Sequence, residues 1–188
     1  MSRLARLASL LLVSAAAFGA SGCFNKEEQV TLGETEGIYV TVDDLKYQVQ
    51  ISRILNPSSP EDEAYLRGVP VGEDDPGPDE VWFAVFMRVE NTSDEAHMSA
   101  EEFTIKDTQD TEFEPIALDP ETNLYGYEPA ELQPGALVPV LNSPAADNTI
   151  RGRLLLYKLK TESLGNRPVE LEIISPTGGE NAVIDLDI

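Results

Sequence analysis

Cysteine, histidine and basic residues are scarce in this chain of 188 residues, which has one cysteine, one histidine and 13 lysines and arginines. A single cysteine excludes an intrachain disulfide framework and a cysteine-rich zinc site. A single histidine argues against a Ser-His-Asp triad and a multi-histidine metal centre. We therefore predict a protein that is not an enzyme, with no catalytic residues, no cofactor and no resident metal.

Positive charge is outweighed by negative charge. The 34 aspartates and glutamates give a formal net charge of -21 at pH 7 and a pI of about 4.1. Because so negative a surface repels phosphates, nucleic acid is excluded as a partner. The hydrophobic share of 41% is too high for a disordered chain, so we expect one folded domain with acidic loops.

The first 22 residues have the features of a secretory signal. Arg3 and Arg6 precede an apolar stretch from Leu7 to Ala20, which is followed by small residues. That stretch is shorter than the roughly 20 apolar residues that cross a bilayer. We predict a helical signal peptide over residues 1-22 that is removed from the mature protein.

The residues at the end of this signal are Ala20, Ser21, Gly22 and Cys23. They resemble the lipobox of bacterial lipoproteins. The resemblance implies that the Cys23 thiol receives a diacylglyceryl group, that cleavage makes Cys23 the new N-terminus, and that the lipid holds the protein on the outside of the cell membrane. Ordinary secretion, with Cys23 as a free thiol, is the alternative. Residues 23-36 contain few apolar side chains and are predicted to form a flexible tether.

From Gly37 onward, apolar residues recur with a period of two, which predicts strands with one buried face. Val81 to Val89 is apolar on both faces and is predicted to be a central strand. The other predicted strands are Ile38 to Val42, Leu45 to Ser52, Phe103 to Asp107, Arg151 to Leu159, Pro168 to Ile174 and Ala182 to Ile188. Short strands separated by turns predict an all-β domain over residues 37-188, an antiparallel β-sandwich.

Three segments carry a family resemblance: VWFAVFMRVENTSD at Val81 to Asp94, FTIKDTQDTEFEP at Phe103 to Pro115, and LQPG at Leu132 to Gly135. In this order they resemble extracytoplasmic bacterial domains of the DUF4352 or telokin-like kind, which are often found on lipoproteins. The resemblance implies an immunoglobulin-like sandwich and an extracytoplasmic location. It implies no catalytic residue.

Acidic residues cluster before and within a long insert from Gly72 to Glu80 that is rich in glycine and proline. The clustered residues are Glu61, Asp62, Glu63, Glu73, Asp74, Asp75, Asp79 and Glu80. Because Ca²⁺ binds where several oxygen ligands converge, the clusters suggest an alternative function as a Ca²⁺-dependent structural module of the cell envelope. The competing interpretation is a solvated loop whose acids repel one another. It is favoured by the absence of an EF-hand pattern and by Pro76 and Pro78, which stiffen the middle of the loop.

Four smaller features have a structural and a functional interpretation. Asp107, Asp110 and Glu112 are predicted to serve a hairpin turn rather than a cation. His97 is expected in an exposed loop, and Asn91 in a turn. Tyr125 and Tyr127, beside Leu124, are either packed in the core or exposed for binding, since tyrosine offers amphipathic contact area.

These expectations combine into a lipid-anchored, extracytoplasmic β-sandwich that acts by binding. The partners are the membrane, through the N-terminal lipid, and a protein or another component of the cell envelope. Since the domain is so acidic, a basic partner surface is expected.

Overall fold

The structure, a computed structural model, describes residues 29–73 and 75–188. The predicted signal peptide over residues 1-22 and the first part of the tether, residues 23–28, lie outside this range. Within it are twelve strands: β1 (Leu32–Gly33), β2 (Val40–Val42), β3 (Leu45–Ile54), β4 (Glu80–Asn91), β5 (His97–Met98), β6 (Phe103–Lys106), β7 (Glu112–Phe113), β8 (Glu131–Leu132), β9 (Leu137–Val138), β10 (Arg153–Lys160), β11 (Glu170–Ile173) and β12 (Ala182–Asp185).

Most of these strands belong to two sheets. Sheet A has the order β1-β12-β11-β6-β7, and sheet B has the order β10-β4-β3-β2 with β9 beside β4. Neighbouring strands are antiparallel, except that β1 runs parallel to β12. β5 and β8 form a separate two-stranded ribbon. The predicted all-β fold, an immunoglobulin-like antiparallel sandwich, is confirmed.

β4 is the central strand of sheet B, between β10 and β3. Phe83 and Val85 face the space between the two sheets, whereas Trp82 and Phe86 face the opposite side and are also buried. A strand that is covered on both faces carries apolar residues at consecutive positions. The prediction of a central strand here is confirmed.

The main core lies between the sheets, and both sheets contribute to it. Its large side chains include Leu45, Tyr47, Val49, Phe83, Met87, Phe103, Ile105, Tyr157, Leu171, Ile173 and Ile184. Full burial of a Leu, Ile or Phe side chain stabilises the folded state by about 1.5–3 kcal/mol relative to leaving it exposed. Packing of this kind holds the sandwich together without a disulfide.

The connections group at two ends of the sandwich. At the entry end, the β2–β3 turn meets the loop of residues 174–181, where the carboxylate of Asp43 accepts hydrogen bonds from Ser175 Oγ at 2.6 Å and Thr177 Oγ1 at 2.6 Å. At the far end, the loops of residues 107–111 and 161–169 come together with the loop that precedes β4, described over residues 55–73 and 75–79. There the N–H of Thr161 donates to the carbonyl of Asp79 at 2.8 Å.

Residues 30–36, called here the strap, connect the two sheets. The carbonyl of Val30 accepts the N–H of Thr41 from sheet B at 2.7 Å, and the carbonyl of Thr31 accepts the N–H of Val183 from sheet A at 2.8 Å. The sequence placed the strap in the flexible tether, because it has few apolar residues. The structure instead places the strap in the sandwich. It is held there by backbone hydrogen bonds, which do not require an apolar pattern in the sequence.

Helix is confined to short segments of the described residues. α1 (Pro60–Glu63) and α2 (Pro144–Asp147) each have four residues, and Ser163–Gly165 forms a single 3₁₀ turn. Each α-helix begins with a proline, whose fixed φ suits the first helical position. Such short helices produce no hydrophobic periodicity, which is why the sequence did not indicate them.

Candidate functional site

Loops cover the outer face of sheet B and form a third layer. Beneath them lies a second apolar cluster, made of Leu55, Tyr65, Trp82, Ala84, Phe86, Leu154 and Leu156. The outer face of sheet A instead carries charged pairs, such as Lys106 Nζ and Glu172 Oε2 at 2.8 Å. The two faces of the sandwich therefore differ, and the loop-covered face contains a pocket with charged, polar and aromatic side chains in its wall.

The pocket lies where α1, the Tyr125 segment and the chain after α2 meet. It has a volume of about 430 Å³, and its wall includes Arg53, Asp62, Tyr65, Tyr125, Asn148 and Ile150. We call it the tyrosine pocket. A depression of about 510 Å³ nearby is lined by Pro115, Ile116 and Tyr127 among others, but it lacks such a convergence of hydrogen-bonding side chains.

An ion pair forms one side of the tyrosine pocket. Arg53 at the end of β3 donates to both carboxylate oxygens of Asp62 in α1, with Nη1 3.1 Å from Oδ2. The N–H of Asn56 donates to the same carboxylate at 2.8 Å. The hydrogen bond from Arg53 lowers the pKa of Asp62 below its usual value, so this carboxylate stays ionised at neutral pH.

Two tyrosine rings form the other side. The Tyr65 ring is buried and makes edge-to-face contacts with Phe86 and with Tyr125, in each case at 4.9 Å between centroids. The guanidinium carbon of Arg53 lies 6.0 Å from the Tyr65 ring centre, and Asn148 Nδ2 donates to the Tyr65 hydroxyl at 2.9 Å. Tyr125 is only half-buried, so part of its ring faces solvent.

Asn123 fixes the backbone around these rings. Its Nδ2 donates to the carbonyls of Tyr65 at 2.9 Å and Arg67 at 2.6 Å, and its Oδ1 accepts the N–H groups of Tyr125 and Gly126, each at 2.9 Å. The Asn123 side chain thus uses both donors and its acceptor within a buried site. The tyrosine pocket is pre-formed, since its wall is held by contacts within the protein.

Solved structures include proteins with this architecture. The yjhA protein from Bacillus subtilis matches 82% of this chain and 99% of its own, with 12% identity and a TM-score of 0.55. The two chains share a fold. At such low identity the likeness extends to the fold and no further.

Two other solved structures are more distant. An uncharacterized β-sandwich protein from Clostridium difficile matches 86% of this chain and 98% of its own, with 12% identity and a TM-score of 0.43. A candidate lipoprotein from Bacillus subtilis, ycdA, matches 84% of this chain and 39% of its own, with 13% identity and a TM-score of 0.45. Both TM-scores are below 0.5, so neither likeness supports an inference about this chain.

Neither a family model nor a curated protein matches the sequence. The resemblance to DUF4352 or telokin-like domains therefore stays a prediction.

The predicted lipidation residue Cys23 and the lipobox residues Ala20, Ser21 and Gly22 lie outside the described residues. Within residues 29–73 and 75–188, no helix combines the length and apolar character that a membrane span needs.

The acidic clusters do not converge in the part of the chain that the structure describes. No group of three or more His, Cys, Asp or Glu side chains is arranged there to hold a metal ion; Asp74 lies outside that part. Asp62 pairs with Arg53, and Glu73 pairs with Lys158, whose Nζ lies 5.5 Å from the Trp82 ring centre. The acidic insert is therefore tied to sheet B through Glu73, a contact that the sequence did not predict.

The hairpin acid Asp107 serves the turn, as predicted. Its Oδ1 accepts the N–H groups of Gln109 at 2.9 Å and Thr111 at 3.0 Å, and its Oδ2 accepts from Asn166 Nδ2 at 3.0 Å. Asp110 has a φ of 60°, the left-handed conformation that Asp tolerates well in turns. Burial raises the pKa of Asp107, but these hydrogen bonds outweigh it and hold the pKa well below the usual value.

The two tyrosines singled out by the sequence have different surroundings. Tyr127 packs edge-to-face on Phe103 at 5.1 Å and donates to the carbonyl of Ala100 at 2.9 Å, so it belongs with the core. Tyr125 lines the tyrosine pocket. His97, predicted to lie in an exposed loop, is instead in the short strand β5, where it pairs with Leu132 of β8. Its side chain is half-buried.

Proposed function

We propose that the protein is a lipid-anchored extracytoplasmic lipoprotein whose sandwich domain acts by binding a protein or another component of the cell envelope. The observation that carries the proposal is the position of the strap. The chain after the predicted lipidation residue Cys23 enters the fold at Val30, at the entry end, where Gln29 also lies near Asp44. A lipid on Cys23 would therefore hold the domain by one end.

The distance between anchor and domain is short. The seven residue steps from Cys23 to Val30 span at most about 25 Å when fully extended. A diacylglyceryl group on Cys23 would keep the entry end within that distance of the bilayer surface, and it would satisfy the need for more than one acyl chain in stable anchoring.

The far end and the loop-covered face then point away from the bilayer or along it. The far end carries the described part of the acidic insert, residues 72–73 and 75–80, and the Asp107 turn. A partner in the envelope would reach these surfaces first. The charge of the chain favours a partner with a basic surface, since complementary potentials speed association.

A binding role fits the chemistry of the tyrosine pocket better than a catalytic one. Its carboxylate, Asp62, is held ionised by Arg53 and already accepts three hydrogen bonds, two from Arg53 and one from the N–H of Asn56. A general acid needs a carboxyl with a raised pKa, whereas the pKa of Asp62 is lowered. Asp62 is therefore suited to accepting hydrogen bonds from a ligand and not to donating a proton to it.

The anchoring is tested by expressing the full chain in a bacterial host beside the Cys23→Ser variant, with Asn25→Ala as the control beyond the cleavage point. We expect the wild-type protein and the control in the membrane fraction, with an N-terminal peptide that starts at Cys23 and carries the mass of a diacylglyceryl group. The Cys23→Ser protein should not yield this lipidated peptide. A wild-type protein that is cleaved and released without lipid would overturn the proposal in favour of ordinary secretion.

A further inference from the structure

We infer that the tyrosine pocket binds the ring of a neutral sugar, of the kind found in cell-envelope glycans. The inference deepens the proposed function, on which it rests for the extracytoplasmic location of the domain. Three properties of the pocket carry it: balanced charge, an aromatic surface and fixed hydrogen-bonding groups.

The charges at the pocket neutralise each other. The Asp62 side chain is 6% exposed and that of Arg53 is 30% exposed, and the two form a bidentate pair. An anionic ligand would have to compete with Asp62 for the guanidinium, and a cationic ligand would have to compete with Arg53 for the carboxylate. Separating a largely buried pair leaves an uncompensated charge, which is costly. A neutral ligand avoids that cost.

The Tyr125 ring supplies an apolar surface beside these polar groups. It is held edge-to-face against Tyr65 with 72° between the ring planes, and Tyr65 is held in the same manner by Phe86 at 70°. A sugar ring has one face of C–H groups and a rim of hydroxyls. The C–H face packs on an aromatic ring, while the hydroxyls require donors and acceptors nearby.

Such groups are present around the pocket. Arg53 has five N–H donors, of which three go to Asp62 and the carbonyl of Ile54 in the described structure, so two point elsewhere. Asn148 uses one amide hydrogen on the Tyr65 hydroxyl, which leaves its second hydrogen and the hydroxyl hydrogen of Tyr65 to donate. Asp62 adds acceptor lone pairs. Both kinds of partner that a hydroxyl needs are therefore within one cavity.

The cavity also has a suitable size and rigidity. A volume of about 430 Å³ lies in the range of small-molecule sites, which is roughly 300–1,000 Å³. Asn123 fixes the backbone on both sides of the rings with four hydrogen bonds, and Asn56 fixes the carboxylate of Asp62. A pre-formed site loses little conformational entropy when a ligand binds.

The test is a titration of the full mature chain, kept in detergent, with a panel of neutral disaccharides and N-acetylated amino-sugar oligomers. Binding is measured by NMR and by calorimetry. Glucuronate and glucosamine serve as anionic and cationic comparisons, and short uncharged peptides as a different ligand class. We expect saturable binding of at least one neutral sugar and weaker binding of its charged counterparts.

Variants locate the binding. Tyr125→Ala should weaken the affinity for the sugar about tenfold through lost stacking, while Tyr125→Phe should keep most of it. Tyr39→Ala, at a partly exposed tyrosine outside the pocket, is the matched control and should bind like the wild type. Because Tyr125→Ala could disturb the fold, Asn148→Ala is measured beside it and should weaken binding about threefold or more, with thermal melting recorded for each variant.

The outcomes separate this inference from the proposed function. No binding of any neutral sugar up to about 10 mM, binding of peptides alone, or binding that survives both Tyr125→Ala and Asn148→Ala would overturn the sugar site. A lipidated, membrane-bound protein with no sugar binding would leave the anchored binding role standing. If the wild-type protein binds a sugar but is released from the cells without lipid, the sugar site stands and the anchor is contradicted.

Discussion

At the scale of single residues, two buried asparagines join loops to the sandwich. Asn91 at the end of β4 donates to the carbonyls of Glu95 and Leu132, each at 2.7 Å, and accepts the N–H of Ser93 at 2.9 Å. Asn123 does the same for the loops around the tyrosine pocket. In both cases one amide satisfies backbone groups that would otherwise be buried without partners.

We predict that Asn123→Ala lowers the free energy of unfolding by about 2–4 kcal/mol, because backbone groups buried with the amide lose their partners. The melting temperature should fall, and the near-ultraviolet circular dichroism of Tyr65 and Tyr125 should change as their backbone relaxes. Gln133→Ala is the control, since its exposed amide makes one contact of 3.4 Å. Equal stability of the two variants would show that Asn123 does not support the pocket.

At the scale of elements, the strap decides where the folded domain begins. Gly33 packs against Ile184 and Val40, and a Cβ there would lie 3.4 Å from both. The carboxylate of Glu36 accepts the N–H groups of Ser52 at 3.0 Å and Asp187 at 3.2 Å. The strap thus joins the first strands of sheet B to the last strand of sheet A.

A chain that starts at Gly37 should therefore be less stable than one that starts at Gln29. We expect a loss of about 2–4 kcal/mol, since the strap's hydrogen bonds and the cover over Ile184 are removed. For a domain of this size that corresponds to a fall of about 5–15 °C in melting temperature. The measurement is thermal unfolding of both chains with hydrogen exchange at Val183 and Thr41.

The full mature chain is the reference for this comparison and should melt with the chain that starts at Gln29. If the chain from Gly37 melts with them, the strap is an accessory and the domain boundary predicted from the sequence is the correct one.

At the scale of the whole molecule, a large negative charge is combined with a few carboxylates whose ionised form is stabilised by hydrogen bonds or ion pairs. Among the residues that the structure describes, four carboxylates have a pKa below the usual value because of hydrogen bonds or ion pairs: Asp43, Asp62, Asp107 and Glu172. For Glu172 the main cause is Lys106, followed by Asn181. The remaining acids repel one another at neutral pH.

These two effects oppose each other as the pH falls. A carboxyl whose pKa is lower in the folded state stabilises the protein above its unfolded pKa, about 4, and this stabilisation is lost as the pH falls further. A smaller net negative charge at lower pH also relieves the repulsion within the chain. We therefore expect the melting temperature to hold or rise from pH 8 to about pH 5 and to drop below about pH 4.

Melting curves across this range, for the wild type and Asp62→Asn, check the prediction. The variant should be less stable near pH 7 and should lose less stability on acidification, because it has no carboxylate to protonate at that position. A melting temperature that keeps rising down to pH 3 would mean that relief of repulsion outweighs the loss of the held carboxylates.

The sequence by itself determined the all-β class, the central position of β4 and the turn role of Asp107. These follow from local physics: a strand alternates its faces every two residues, and an aspartate bonds the backbone of its own turn. The tertiary structure decided the strap and the tyrosine pocket. Leu32 pairs with Val183, while the pocket is assembled from three loops. Hydrophobic periodicity is local, so it does not indicate which residues far apart in the sequence will pair. That pairing depends on which backbone and side-chain groups still need hydrogen-bond partners after the sheets have formed.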